Sequence, residues 1–190
     1  MPAEGPIGNR LPDDDPLSGE VSVLVLDILN RNPSGFELQG LSSPSMYLDR
    51  ARIDDDKINS PGVNVETNSG SIGPLSEIRF KDLTGQSSSS IIDAVLDLIN
   101  SDPDRHLGFY NRANNLSLKY HAFQLLPGIG NSKAMQMVKE RGGSGWSEFG
   151  QIDKSCGIDS AKLLAERYVG EMQYPSESPS LLDLLVRSGI

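Results

Sequence analysis

Apolar and polar positions follow two rhythms along this chain, and the rhythm changes near residue 84. In the stretch from Glu20 to Asn30, Val21-Ser-Val-Leu-Val-Leu-Asp-Ile-Leu29 is β-branched and almost continuously apolar, which predicts a buried strand. Pro33-Ser34-Gly35 turns it. Further short strands are predicted at Phe36–Gly40, Met46–Ile53, Val63–Thr67 and Glu77–Phe80, separated by Gly, Pro, Asn and Ser clusters. Asp54-Asp55-Asp56 and Asn68-Ser-Gly-Ser-Ile-Gly73 read as exposed loops. After Ser87–Ser90 the period changes to that of a helix. Ile91, Val95, Leu98 and Ile99 share one face.

Asp102-Pro103 predicts a helix start, with Pro at the first helical position and the helix running to about Asn111; Phe109 and Tyr110 are its buried positions. Leu118, Ala122, Leu125 and Leu126 predict another helix, stopped by Pro127. Asn131 reads as the N-cap of the next, whose stripe is Ala134, Met137 and Val138 and which ends at Gly142-Gly143. Trp146, Phe149 and Ile152 open a helix near Ser147, with the single tryptophan as a core plug. Ala161, Leu164, Ala165 and Tyr168 face the core from the next.

The fold class expected is therefore α+β: an OB-like β-barrel of about five strands over residues 20–83, connecting helices over 84–116, and an all-helical unit over 117–173. Residues 1–19, with four prolines and Asp13-Asp14-Asp15, read as a disordered acidic tail. Residues 174–190 read as a tail whose Leu181–Val186 forms a short amphipathic helix docked on its own domain.

The 190 residues are 37% hydrophobic, which fits a globular chain with long loops. The lone Cys156 leaves no intramolecular disulfide and fits a reducing, cytoplasmic setting. No apolar run is long enough to span a membrane and no secretory signal is visible. A net charge of −9 is unfavourable for binding nucleic acid, so its distribution matters. Residues 1–104 carry 7 Lys/Arg and 18 Asp/Glu, a balance of −11, whereas residues 105–173 carry 9 and 6, a balance of +3.

Within that positive segment, Leu126-Pro127-Gly128-Ile129-Gly130 is the sharpest chemical feature. Two glycines allow the chain to reverse within a few positions, and amides from Gly128 to about Ser132 are left at a helix N-terminus with no side chain at the centre. Lys133 lies one residue further in, where a cation opposes the helix dipole; a bound phosphate would account for it. The candidate phosphate-binding residues are thus Gly128, Ile129, Gly130, Asn131, Ser132 and Lys133, with Ile129 packing inward and Arg112 and Lys119 as flanking contacts. The run resembles the helix-hairpin-helix motif, which carries backbone amides to a nucleic-acid phosphate. Gly157-Ile158, 29 residues after Gly128-Ile129, and Lys162, 29 after Lys133, form a second, degenerate copy. There Asp159 replaces the second glycine and would repel a phosphate, so that hairpin is read as structural.

Phe109-Tyr-Asn-Arg-Ala113 followed by His121-Ala-Phe-Gln-Leu-Leu-Pro-Gly-Ile-Gly130 resembles the mainly archaeal family catalogued as domain of unknown function 655, specifically from about Thr84 to Met172. The resemblance implies an OB-like barrel, helices and a helix-hairpin-helix domain, with a nucleic-acid-binding role. Family members are richer in Lys and Arg around the barrel loops than this chain is at 68–73.

No Walker A, zinc-ligand spacing or Gly-x-Gly-x-x-Gly is present, and His106, His121 and Cys156 form no catalytic pattern, so neither catalysis, a metal nor a cofactor is expected. The expected function is non-catalytic binding of nucleic acid, RNA slightly ahead of DNA, by phosphate contact without base readout. The alternative is a protein-docking module, which the acidic first half favours.

Overall fold

The structure, a computed structural model, describes residues 15–55 and 57–188. Most of the expected tail (1–14) and Asp56 of the second aspartate triplet lie outside those residues. Residues 15–19, expected to continue the tail, form a turn instead. Leu17 is buried, and its amide bonds Asp15 Oδ1 at 3.0 Å.

Five antiparallel strands follow: β1 (Ser22–Asn30), β2 (Phe36–Ser43), β3 (Leu48–Ile53), β4 (Asn64–Glu66) and β5 (Ser76–Glu77), in the order β4-β1-β2-β3-β5. The expected barrel does not close. β4 and β5 are three and two residues long, too short to ladder against each other, and each is left as an edge. The chain between β3 and β5 instead covers one face of the sheet: Ile58, Val65 and Ile72 pack on Val23, Val25, Leu38 and Ala51. Gly40 sits on that face because a Cβ there would collide with the Val23 side chain.

Leu24, Leu26, Leu41 and Leu48 point to the other face, which packs on α1 (Gly85–Ser101). A bulge between Val25 and Asp27 brings Asp27 toward the start of α1. There Thr84, the N-cap, accepts from the Ser87 amide at 3.0 Å and donates to Asp27 Oδ2 at 2.6 Å. Gln39 on β2 accepts from the Thr84 amide and the Ser87 hydroxyl, each at 2.9 Å. These polar groups, of which Gln39 and Ser87 are buried, fix the helix to the sheet and satisfy one another.

Beyond α1 come α2 (Pro103–Arg112), a hairpin of β6 (Asn115–Ser117) and β7 (Tyr120–His121), a 3-10 turn (Ala122–Leu125), α3 (Asn131–Arg141), α4 (Phe149–Cys156) and α5 (Ser160–Gln173). The helix expected from Leu118 does not form. Leu118 is fully exposed at the hairpin tip, and only Ala122–Leu125 is helical, in a single tight turn. His121 is responsible: its Nδ1 accepts from the Phe123 amide at 3.1 Å while Gln124 Oε1 accepts from its own amide at 3.0 Å, a reciprocal cap that starts the turn at 122.

Other helical positions expected in the core are there, although α4 starts at Phe149 and not near Ser147, and Val138 of the α3 stripe is only half-buried. Phe109 and Tyr110 are buried, and Tyr110 Oη donates to the Ser160 carbonyl at 2.6 Å. Trp146 is buried, with Nε1 on Ser155 Oγ at 3.3 Å. Ala161, Leu164, Ala165 and Tyr168 are all buried. The C-terminal segment docks on its own fold: Leu181, Leu182 and Val186 are buried, and Arg187 donates to the carbonyls of Ser45 and Met46, each at 3.2 Å. One buried cluster runs without a break from the sheet through every α-helix to this segment.

Candidate functional site

The turn from Leu126 to Gly130 joins the 3-10 turn to α3. Leu126 and Ile129 are buried while Pro127, Gly128 and Gly130 are exposed, so alternate residues anchor the turn and present it. The Ile129 amide bonds the Leu126 carbonyl at 3.2 Å. Gly128 has φ +74°, a conformation that a side chain disfavours. Gly130 has φ −84° and is extended; it, and not Asn131, is the N-cap, and Asn131 is the first helical residue. A side-chain cap is therefore absent at α3. Among the described residues the amides of Gly128, Gly130, Asn131, Ser132 and Lys133 have no acceptor, and the first internal bond is Ala134 N to Gly130 O at 2.9 Å. A Cβ built at Gly128 or Gly130 would meet nothing within 4 Å.

Lys133 does not hang free beside these amides. Its ammonium donates to the Cys156 carbonyl, at the C-terminus of α4, and to Gln136 Oε1 at 3.1 Å. A cation in the first turn of α3 is unfavourable for that helix but favourable for the last carbonyls of α4, and this second contact accounts for it without a phosphate.

The equivalent turn between α4 and α5 has Gly157 at φ +65°, followed by Ile158 and Asp159. Two of its amides are occupied by the protein's own carboxylates: Asp159 Oδ1 accepts from Lys162 N at 3.2 Å and Asp153 Oδ1 from Ser160 N at 2.7 Å. The C-terminal segment is capped the same way. Buried Glu171 accepts from the amides of Leu181 at 2.9 Å and Leu182 at 3.0 Å, with Arg167 Nε on it at 2.7 Å. Two helical starts thus carry an internal oxyanion, whereas α3, like α2 and α4, has no side-chain cap among the described residues; of these three only α3 has a glycine as its N-cap.

A depression of about 610 Å³ runs beside the α3 turn, lined by Gln124 to Gly130 on one side and by Glu166, Arg167, Gly170, Tyr174 and Glu177 on the other. Arg167 is spent on Glu171 and on Glu177, the latter at 2.8 Å. Glu166 adds a negative charge to the far wall. The flanking candidates are both exposed: Arg112 ends α2, and Lys119 sits at the β6–β7 tip. Neither forms an ion pair among the described residues.

One signal that the overall charge balance hides is that residues 105–139 contain no Asp or Glu, against five Lys/Arg. The hairpin, the turn and most of α3 lie inside this acid-free window. The same window holds Asn114, Asn115 and Leu116, which border a separate apolar depression that the helical reading of 118–126 had no means of locating. The histidines serve structure. His121 is the cap described above, and burial and the nearby Arg141 charge hold it below the usual imidazole range. His106, pushed down to about 4 by burial, shares a 2.9 Å hydrogen bond through Nδ1 with Tyr168 Oη. Cys156 is buried. Among the described residues no helix is long and apolar enough to cross a membrane.

Two known archaeal proteins are similar to this one. An uncharacterised protein of Methanocaldococcus jannaschii is 21% identical over 113 residues, 60% of this chain, and the match spans about half (52%) of that relative's length. The crystal structure of Af1531 from Archaeoglobus fulgidus superposes with a TM-score of 0.77 at 21% identity, covering 86% of this chain and 99% of that one, so the two share a fold. Residues 39–180, which contain most of the sheet, all five α-helices and the glycine turn, match the family described as protein of unknown function (DUF655), and the chain belongs to that family.

Proposed function

We propose that this protein binds nucleic acid without catalysis, holding a backbone phosphate on the exposed amides of the Gly128–Ser132 turn. On this reading the 3-10 turn with α3, and α4 with α5, are helix-hairpin-helix units, the second closed by its own aspartates, and the β1–β5 sheet is an opened OB-like barrel. One observation carries the proposal. At α5 and at the C-terminal segment, comparable amides take an internal carboxylate, whereas α3 offers exposed amides under an N-cap with no side chain. An internal carboxylate on those amides supports an oxyanion as the ligand of the α3 turn, where the N-cap is a glycine and the approach is open. The acid-free window supports a polyanion as that partner. The contact is to backbone, so it positions a strand without reading its bases, with affinity of about micromolar that falls with salt.

Gly130→Val is the informative variant. The extended backbone at 130 accepts a side chain and nothing lies within 4 Å, so the fold is retained while the approach is blocked. In fluorescence anisotropy with labelled 12-mers at two salt concentrations, the expected result is salt-sensitive binding weakened about ten-fold or more in the variant. Unchanged binding by a folded Gly130→Val protein would sink the proposal. A docking role for protein partners remains the second reading, favoured by the balance of −11 over residues 1–104.

A further inference from the structure

A second depression, of about 300 Å³, lies between the β6–β7 hairpin and the C-terminal segment. Leu116, Leu125 and Leu184 are among its walls, and Arg112, Asn114 and Asn115 also line it. Leu125 is common to this depression and to the one beside the glycine turn, so the two are neighbours sharing a wall. Leu116, on the hairpin, and Leu184, on the C-terminal segment, are 48% and 60% exposed, large apolar side chains of the depression left open to solvent. Among the described residues the side chains of Asn114 and Asn115 make no hydrogen bond that satisfies them internally, and Arg112 has no carboxylate partner. Tyr120, 40% exposed, leans toward the turn with its hydroxyl donating to the Gln124 carbonyl at 3.0 Å.

We infer that this depression receives an unpaired nucleobase whose neighbouring phosphate sits on the Gly128–Ser132 turn, which makes the preferred ligand a single strand. The inference rests on the phosphate reading above and adds the substrate class to it. The chemistry of the depression is that of a base: apolar walls for the two faces of a flat ring, amides that both donate and accept for its polar edge, and a cation for the phosphate beside it. Charge selects this occupant over an apolar peptide, because the helix and hairpin side of the depression belongs to the acid-free window and its one charged lining residue is Arg112, which has no carboxylate partner among the described residues. A base within a duplex is stacked on both faces and cannot enter.

The test compares three ligands of equal length and phosphate count per strand: an intact single strand, the same strand with every base removed, and the corresponding duplex. Each is titrated against the full-length protein, Leu116→Ser/Leu184→Ser and Gly130→Val. Both leucines are exposed, so the double variant is expected to fold; circular dichroism checks this, and Asn114→Ala/Asn115→Ala serves as a second variant if it does not. The wild type should bind the intact strand about ten-fold tighter than the abasic strand or the duplex, and the leucine variant should lose that preference while still binding the abasic strand. Gly130→Val should weaken all three. Equal affinity for all three ligands, with Gly130→Val still weakening each, overturns the base site and leaves the phosphate reading standing. Equal affinity with no effect of Gly130→Val overturns both. A dimer by sedimentation that dissociates in the leucine variant assigns the depression to a second copy of the chain and likewise overturns the base site.

Discussion

Lys133 shows what a local argument leaves out. Seen in sequence, a cation in the first turn of a helix calls for an anion. In the fold its ammonium meets the Cys156 carbonyl at the end of α4, a contact 23 residues away along the chain. Replacing it with methionine is expected to lower stability by about 1–2 kcal/mol, read as a lower urea midpoint, while changing oligonucleotide affinity less than Gly130→Val does. The two glycines of the turn also separate at this scale. Gly128 needs its positive φ and Gly130 does not, so Gly128→Val should destabilise the protein where Gly130→Val should not. Asp49 makes a third prediction. It is wholly buried, neither oxygen has a hydrogen-bond partner, and its pKa is pushed up to about 8 by burial and then by the charge of Glu20. The folded state keeps a proton that the unfolded chain loses near pH 4, so this group's contribution is full below about pH 4 and is lost as pH rises through about 8. His106 has the opposite sign: its contribution is full above about pH 6.5 and is lost as pH falls through about 4. Between about pH 6.5 and 8 the Asp49 slope stands alone of the two. The urea midpoint should fall across that range, and Asp49→Asn should flatten it.

At the level of elements, the strands and long helices were legible because their periods are set by contacts within the element. Ile91, Val95 and Ile99 mark α1, and Val23 to Leu26 mark β1, whatever packs against them. The 118–126 segment was not legible in this way. Leu118, Ala122 and Leu125 have helical spacing, yet the reciprocal bonds of His121 and Gln124 begin helical structure only at 122 and leave Leu118 in solvent. Closure of the sheet was not legible either, since it depends on edge strands of two and three residues whose hydrophobic signal is slight. The glycine turn could be read from its own five residues, but the contrast with the α5 turn needed the fold, because Asp153 reaches the Ser160 amide from the preceding helix. Glu166 opposes an anion from the far wall of the turn's depression, and Glu166→Gln is expected to tighten oligonucleotide binding about two- to three-fold at low salt, with less effect at high salt. In β2, Gly40→Ala should cost about 1–3 kcal/mol by forcing Val23 from its place, read by thermal denaturation.

Across the whole molecule, charge and packing are divided differently. Packing is continuous: the cluster that begins at Leu26 and Leu41 in the sheet ends at Val186 in the C-terminal segment. Charge is partitioned, with a strongly acidic first half and an acid-free window around the hairpin and turn. On the proposed reading, a polyanion is disfavoured by the acidic first half and steered toward this window. The proposed role of the outward amides of the α3 turn, to hold an oxyanion, can be followed through backbone amide resonances in a ¹⁵N-labelled sample as a short single-stranded oligonucleotide is added. Gly128, Gly130, Asn131 and Ser132 are expected to shift progressively and saturate together, while Ser160 and Lys162, already bonded to Asp153 and Asp159, stay in place. Shifts confined to the sheet, or none in the turn at saturation, would contradict it.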